Sequence, residues 1–128
     1  MQVSGGHTPQ VVAVLGAGAM APEIAVACAG AGYETLILGR DAARAEAAAE
    51  WCRTFVTDAT VTSGLIDEPQ LSGVDLVIET IVEDLAVKHD VLARVEAWCT
   101  PGTPIVTNTS SLTIARLAEC LQRPDHFA

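Results

Sequence analysis

A run of β-branched and apolar residues, Val11-Val12-Ala13-Val14-Leu15, runs straight into Gly16-Ala17-Gly18-Ala19-Met20-Ala21, and a helical pattern follows at once. Few folds accept a Gly-x-Gly-x-x-Ala turn between a strand and a helix. Gly16 permits the tight turn, Gly18 lets another group approach the backbone, and Ala21 is small enough for close helix–strand packing. The free N–H groups and the dipole of the helix start then face an anion. That arrangement suits the pyrophosphate of a dinucleotide. Glycine-rich turns alone are common; here the position after one strand and about 20 residues before a second makes the reading specific.

The chain has 128 residues, and half are apolar, so one domain with a real core is expected. Alanine is abundant, which suits helices packed tightly on a sheet. Seven basic residues stand against 16 acidic ones, a net charge of −9. No basic stripe is visible, which argues against nucleic acid as a partner. Cys28, Cys52, Cys99 and Cys120 are too widely spaced for a Cys-x-x-Cys site and read as core thiols of a reducing cytoplasm. The lead-in, residues 1–10, is polar and lacks the apolar core of a signal peptide. No apolar run reaches membrane-spanning length.

Strand and helix patterns alternate from Val11 onward. Val11–Leu15 is apolar throughout, as a central parallel strand should be. Met20–Ala29 follows as a helix, with Pro22 in its first turn and Gly30-Ala31-Gly32 as its stop. Thr35–Leu38 is the second strand. Asp41 caps a helix over Ala42–Phe55, in which Ala43, Ala47, Trp51 and Phe55 recur every four residues and are expected to form the buried stripe. Thr60–Ser63 is a short strand, and Gly64–Gly73 a loop with a turn of helix around Glu68–Leu71. Asp75–Thr80 is the fourth strand. A long helix starts at Asp84 and ends near Cys99, with Leu85, Leu92, Val95 and Cys99 at helical spacing. Ile105–Thr107 is the fifth strand, and Thr113–Leu121 a last helix before Arg123-Pro124. The expected fold is α/β: a Rossmann-type doubly wound parallel sheet in a single domain over 11–128.

Ligands of such sheets bind at the carboxyl ends of the strands. Besides the Gly16–Ala21 turn, three segments fall there. Leu38-Gly39-Arg40-Asp41 ends the second strand. A carboxylate at the Gly39 position would bind the ribose hydroxyls of NAD. A small residue followed by Arg40 suits a phosphate on that ribose instead, so NADP is favoured over NAD. The alternative has Asp41 on the ribose and Arg40 as a solvated charge. Glu79-Thr80-Ile81-Val82-Glu83-Asp84, with Lys88 beyond it, lies over the expected cofactor path. Glu83 and Lys88 read as functional and Asp84 as a complement to the helix dipole. Thr107-Asn108-Thr109-Ser110-Ser111 offers four hydroxyls and an amide to a ribose or a substrate oxygen. One serine also suits a helix cap. Asn108 and Ser110 are the functional candidates.

The chain resembles the NAD-binding domain of the 3-hydroxyacyl-CoA dehydrogenase family across Val11–Ala128. The resemblance rests on Val14-Leu15-Gly16-Ala17-Gly18-Ala19-Met20, Asp75-Leu76-Val77-Ile78-Glu79, Val82-Glu83-Asp84-Leu85 with Lys88, and Thr107-Asn108-Thr109-Ser110-Ser111-Leu112. It implies hydride transfer between a nicotinamide and C3 of a 3-hydroxyacyl thioester. It also implies that Gly16, Gly18 and the backbone of Ala19, Met20 and Ala21 hold the pyrophosphate, and that Gly39–Arg40 touches the adenosine ribose. Glu83 and Lys88 match residues near the nicotinamide ribose and the catalytic histidine. Asn108 matches a residue beside the nicotinamide, and Ser110 one that hydrogen-bonds the substrate oxygen.

Three departures qualify what it implies. The family's catalytic histidine lies in a His-Phe-Phe-Asn-Pro-like segment, and Arg123-Pro124-Asp125-His126-Phe127-Ala128 stops short of it. His126 sits too early to be that residue. The helical second domain, with its catalytic glutamate, substrate surface and dimer contact, is expected to be absent from this chain. The isolated domain is expected to bind cofactor, to turn over poorly and to self-associate through an exposed face. Secondly, about 35 residues separate Arg40 from Asp75, too few for the family's long helical hairpin that helps hold CoA. An acyl-carrier-protein thioester is then an alternative substrate. Thirdly, Gly39 replaces the usual acid, and Ala21 the usual third glycine. A non-catalytic nucleotide-binding module is the reading from another class.

Overall fold

The computed structural model describes residues 10–57, 59–108 and 112–128. Five parallel strands form one sheet in the order β3-β2-β1-β4-β5. They are β1 (Val11–Leu15), β2 (Glu34–Gly39), β3 (Val61–Leu65), β4 (Leu76–Glu79) and β5 (Ile105–Thr107). The helices are α1 (Met20–Gly30), α2 (Ala42–Arg53), α3 (Glu68–Leu71), α4 (Leu85–Trp98) and α5 (Ile114–Ala118). The chain winds outward from β1 to β3, then returns to the other side of β1 for β4. The switch of direction between β1 and β4 opens a crevice at their carboxyl ends, as the doubly wound reading expects.

The period of two along β1 divides the core. Val12 and Val14 point to one face, with Ala21, Ala25 and Ala29 of α1 and Ala45, Ala48, Ala49 and Cys52 of α2. Ala13 and Leu15 point to the other, with Leu71, Val91, Leu92, Val95 and Leu117 of α3, α4 and α5. Both faces of β1 are covered, which is why its sequence is apolar without alternation. The first face is lined with alanine and the second with larger aliphatic side chains.

Helix α2 carries a correction. Its buried residues are Ala45, Ala48, Ala49 and Cys52. Ala43 and Ala47 are exposed, and Trp51 and Phe55 are 44% and 61% exposed. The two rings pack against each other on the outer surface, tilted by 54° with centroids 4.6 Å apart. The helix is apolar on two faces, and the sheet takes the one with small side chains, because only that one allows close approach. Helix α2 also ends at Arg53 rather than Phe55.

The other differences are at boundaries. Strand β2 runs to Gly39, and β3 is shifted to Val61–Leu65, so Gly64 is in the sheet rather than in a loop. In α4, Leu92, Val95 and Cys99 are buried as expected and Leu85 is half-buried. Helix α5 is five residues long, shorter than the expected Thr113–Leu121, and Thr113 is its cap. A short 3-10 turn at Pro124–His126 then brings Phe127 beside Ile105 in a parallel bridge. The lead-in up to residue 9 lies outside the described residues. No helix among the described residues is long and apolar enough to cross a membrane. All four cysteines are free, and burial raises their thiol pKa values, that of Cys99 to about 11.

Candidate functional site

A cleft of about 600 Å³ opens at the carboxyl ends of β1, β2, β4 and β5. Gly16, Gly18, Ala19, Met20, Gly39, Arg40, Glu83, Lys88 and Asn108 all line it. These come from four separated segments, so the fold gathers most of the sequence-derived candidates in one place; Ala21 and Glu79 are buried behind it, and Ser110 lies outside the described residues.

The glycine turn is built tightly on one side and openly on the other. Gly16 has φ +110°, and a Cβ there would stand 2.8 Å from the Thr80 hydroxyl oxygen. Its amide donates to the Leu38 carbonyl at 2.7 Å, and Thr80 donates its hydroxyl and its amide to the Leu15 carbonyl at 2.7 and 2.9 Å. Gly18 differs: a Cβ on it would meet no protein atom within 4 Å. The fold itself therefore does not require a glycine at 18, whereas a ligand lying against the turn would. Helix α1 starts at this cleft with Ala19 as its N-cap, and no side chain caps it. Its first-turn N–H groups are thus left for an outside acceptor. By contrast, Asp41, Asp84 and Thr113 accept amide hydrogen bonds at the starts of α2, α4 and α5.

At the end of β2, a Cβ on Gly39 would make only ordinary contacts, 3.6 Å and beyond. The site would accept a larger residue but has none. Arg40 and Arg44 both line this end of the cleft. Among the described residues neither guanidinium forms an ion pair. Asp41 spends its Oδ1 on the amides of Ala43 and Arg44, at 2.9 and 3.2 Å. Arg44 went unnoticed in the sequence; it lies in the first turn of α2, which begins at the cleft.

At the opposite end, Lys88 is wholly buried, with its ammonium 2.6 Å from the Glu79 carboxylate and 3.3 Å from Glu83. Glu79 is fully buried beneath the cleft rather than facing the cofactor path, which corrects its expected placement. Glu83 stays partly exposed, its side chain 38% accessible. Asn108 donates its amide to the Glu79 carbonyl at 2.8 Å. Thr80, Ile66, Ile81 and Val82 also line the cleft and were not singled out from sequence. Met20 and Val82, large and about half exposed, give it an apolar mouth. His126 lies away from it, as its position before the family's histidine segment implies; its ring nitrogen is 3.8 Å from Asp125. Among the described residues no group of His, Cys, Asp and Glu is placed to hold a metal ion.

Comparison with known proteins agrees with this geometry. The family model of the 3-hydroxyacyl-CoA dehydrogenase NAD binding domain matches residues 11–128. The fatty acid oxidation complex subunit alpha of Acinetobacter baylyi is 33% identical over 96% of this chain, which spans 19% of that relative. The solved 3-hydroxybutyryl-CoA dehydrogenase of Escherichia coli is 29% identical, with a TM-score of 0.81 over 95% of this chain and 29% of its own. The (S)-3-hydroxybutyryl-CoA dehydrogenase of Ralstonia eutropha, 24% identical, shares the fold with a TM-score of 0.83 over 94% of this chain and 48% of its own. This chain belongs to the 3-hydroxyacyl-CoA dehydrogenase family and is its NAD binding domain.

Proposed function

We propose that the domain holds a nicotinamide dinucleotide across the cleft, as the cofactor half of an oxidoreductase acting on a 3-hydroxyacyl thioester. The convergence of the Gly16–Met20 turn, Gly39–Arg40, Glu83–Lys88 and Asn108 on one crevice carries this reading. The uncapped first turn of α1 and the open space at Gly18 receive the pyrophosphate. Glu83 and Lys88 face the nicotinamide ribose, and Asn108 lies beside the ring. Ser110 holds the substrate oxygen and polarises it. The cofactor, when bound, exchanges a hydride with C3 of the substrate. An acid–base histidine, in the family's His-Phe-Phe-Asn-Pro-like segment, completes the reaction. A helical second domain supplies that histidine and the contact of a homo-oligomer.

The preferred cofactor is NADP. Gly39 leaves room for a 2′-phosphate where an acid would repel it, and Arg40 and Arg44, in no ion pair among the described residues, supply forked donors. The free thiols fit a reducing, cytoplasmic setting. Calorimetric titration of the chain with NADPH and NADH tests the reading. Tighter NADPH binding that is lost in Arg40→Ala supports it. Tighter NADH binding returns the ribose to Asp41 or to a backbone contact, and binding of neither removes the nucleotide role.

A second substrate reading rests on one observation. Among the described residues between β2 and β4 lie only α2, β3 and the four-residue α3, with no helical hairpin. A thioester presented on an acyl carrier protein needs no such hairpin. Faster turnover of the carrier-protein thioester than of the CoA thioester would support it, and equal or faster turnover of the CoA ester would refute it.

A further inference from the structure

The Glu79 carboxylate is fully buried and both of its oxygens are engaged. Its Oε2 accepts from the Lys88 ammonium and from the Ile81 amide, each at 2.6 Å. Its Oε1 accepts from the Thr107 hydroxyl at 2.6 Å. Its backbone carbonyl accepts from the Asn108 amide at 2.8 Å. Lys88, equally buried, makes its second charged contact with Glu83 Oε1 at 3.3 Å.

Removing two charges from water to pair them is costly, and a well-packed apolar pair of similar volume often serves stability as well or better. Stability alone is therefore a weak reason for this pair. Its wiring offers a stronger one. The bonds leave the end of β4 in three directions: to the loop at Ile81, to the first turns of α4 and to the end of β5. They reach Ile81, Lys88, Glu83 and Asn108, all of which line the cleft. Thr107, the remaining partner, directly precedes Asn108.

We infer that Glu79 is a positioning residue that preforms the nicotinamide half of the cleft. It anchors Lys88, which in turn holds the Glu83 carboxylate at the rim, and it independently fixes the β5 end that presents Asn108. This rests on the reading that the cleft takes a dinucleotide. Lys88 thereby shares its ammonium between Glu79 and Glu83. Binding is paid for with less ordering, because the polar groups of that half are already aligned.

The test titrates the full chain with NADH and with ADP, which carries the adenosine and its two phosphates but neither the second ribose nor the nicotinamide. Three variants are compared: Glu79→Gln, Thr107→Val, and the double variant Glu79→Met with Lys88→Met, which leaves no unpaired buried charge. The double variant should fold like the parent. It should bind NADH about tenfold more weakly, lose most of the rise in NADH fluorescence on binding, and keep its ADP affinity within about twofold. Thr107→Val should show the same selectivity with a smaller loss, about two- to fivefold. Glu79→Gln should match the double variant in its NADH loss. Unchanged NADH affinity in the double variant would overturn the inference. Equal losses of NADH and ADP affinity in Thr107→Val would reduce Glu79 to general support of the fold and overturn it too. An unmodified chain that binds ADP but not NADH, or neither, would instead overturn the dinucleotide reading.

Discussion

Gly16 and Thr80 are locked together just past the carboxyl ends of the paired strands β1 and β4: a Cβ on the glycine would stand 2.8 Å from the threonine hydroxyl oxygen, which donates to the Leu15 carbonyl at 2.7 Å. Gly18, two residues on, touches nothing that would oppose a side chain. The two glycines of one motif thus serve different masters. The first is demanded by the protein; the second is not, and on the proposed reading it serves the dinucleotide.

Gly16→Ala should destabilise the chain by about 1–3 kcal/mol, through its left-handed backbone and the contact with Thr80. Gly18→Ala should leave stability within about 0.5 kcal/mol and weaken dinucleotide binding. Urea unfolding and calorimetry of both variants check the pair. A large stability loss in Gly18→Ala would refute the division.

Arg40→Ala and Arg44→Ala should each reduce NADPH affinity about ten- to a hundredfold, the value of a charge-assisted hydrogen bond, with little effect on NADH. Gly39→Asp should reverse the preference toward NADH, since a Cβ at 39 is accommodated. NADPH affinity unchanged in both arginine variants would place the ribose end elsewhere.

The α2 faces predict opposite responses to size. Trp51→Ser should cost no more than about 1.5 kcal/mol, the scale of an aromatic pair contact, and should reduce self-association. Ala49→Leu, on the buried alanine face, should cost about 1–3 kcal/mol through overpacking. Thermal unfolding and light scattering distinguish them, and a Trp51→Ser loss larger than that of Ala49→Leu would contradict the assigned faces.

Burial raises the Cys99 thiol to about 11, and Cys28, Cys52 and Cys120 are raised for the same main reason. The folded chain therefore keeps these protons after the unfolded chain has released them. Their contribution is fully present below the unfolded value of 9.0 and is lost as pH rises from there through the folded values. Stability should fall between about pH 9 and 11, with Cys99 accounting for up to about 2 kcal/mol. Urea midpoints for the parent and Cys99→Ala across that range check it. The parent should lose more stability than the variant, and parallel curves would remove Cys99 as the cause.

Regular, two-sided burial made most of the fold readable. Strand β1 and the turn after it, the capping role of Asp41, the start of α4 at Asp84 and the crevice-lining segments all follow from local chemistry. The face of α2 did not, because an alanine-rich helix is apolar in two directions and only the tertiary approach to the sheet chooses between them. The Glu79–Lys88 pair was missed for another reason. Nine positions and a change from strand to helix separate the partners, and no sequence period links them. Arg44, in the first turn of α2, needed only the observation that α2 begins at the cleft.

Ala21, Ala25 and Ala29 recur every fourth residue along the side of α1 that meets the sheet. Their single methyl groups act as a spacer of fixed thickness and hold the helix axis at a set height above Val12 and Val14. The amides at the head of α1 inherit that height. On the proposed reading, the depth at which the pyrophosphate would rest over the Gly16 turn is gauged along the whole helix, and a thicker residue at position 25 or 29 would tilt the axis and shift the amides at position 19.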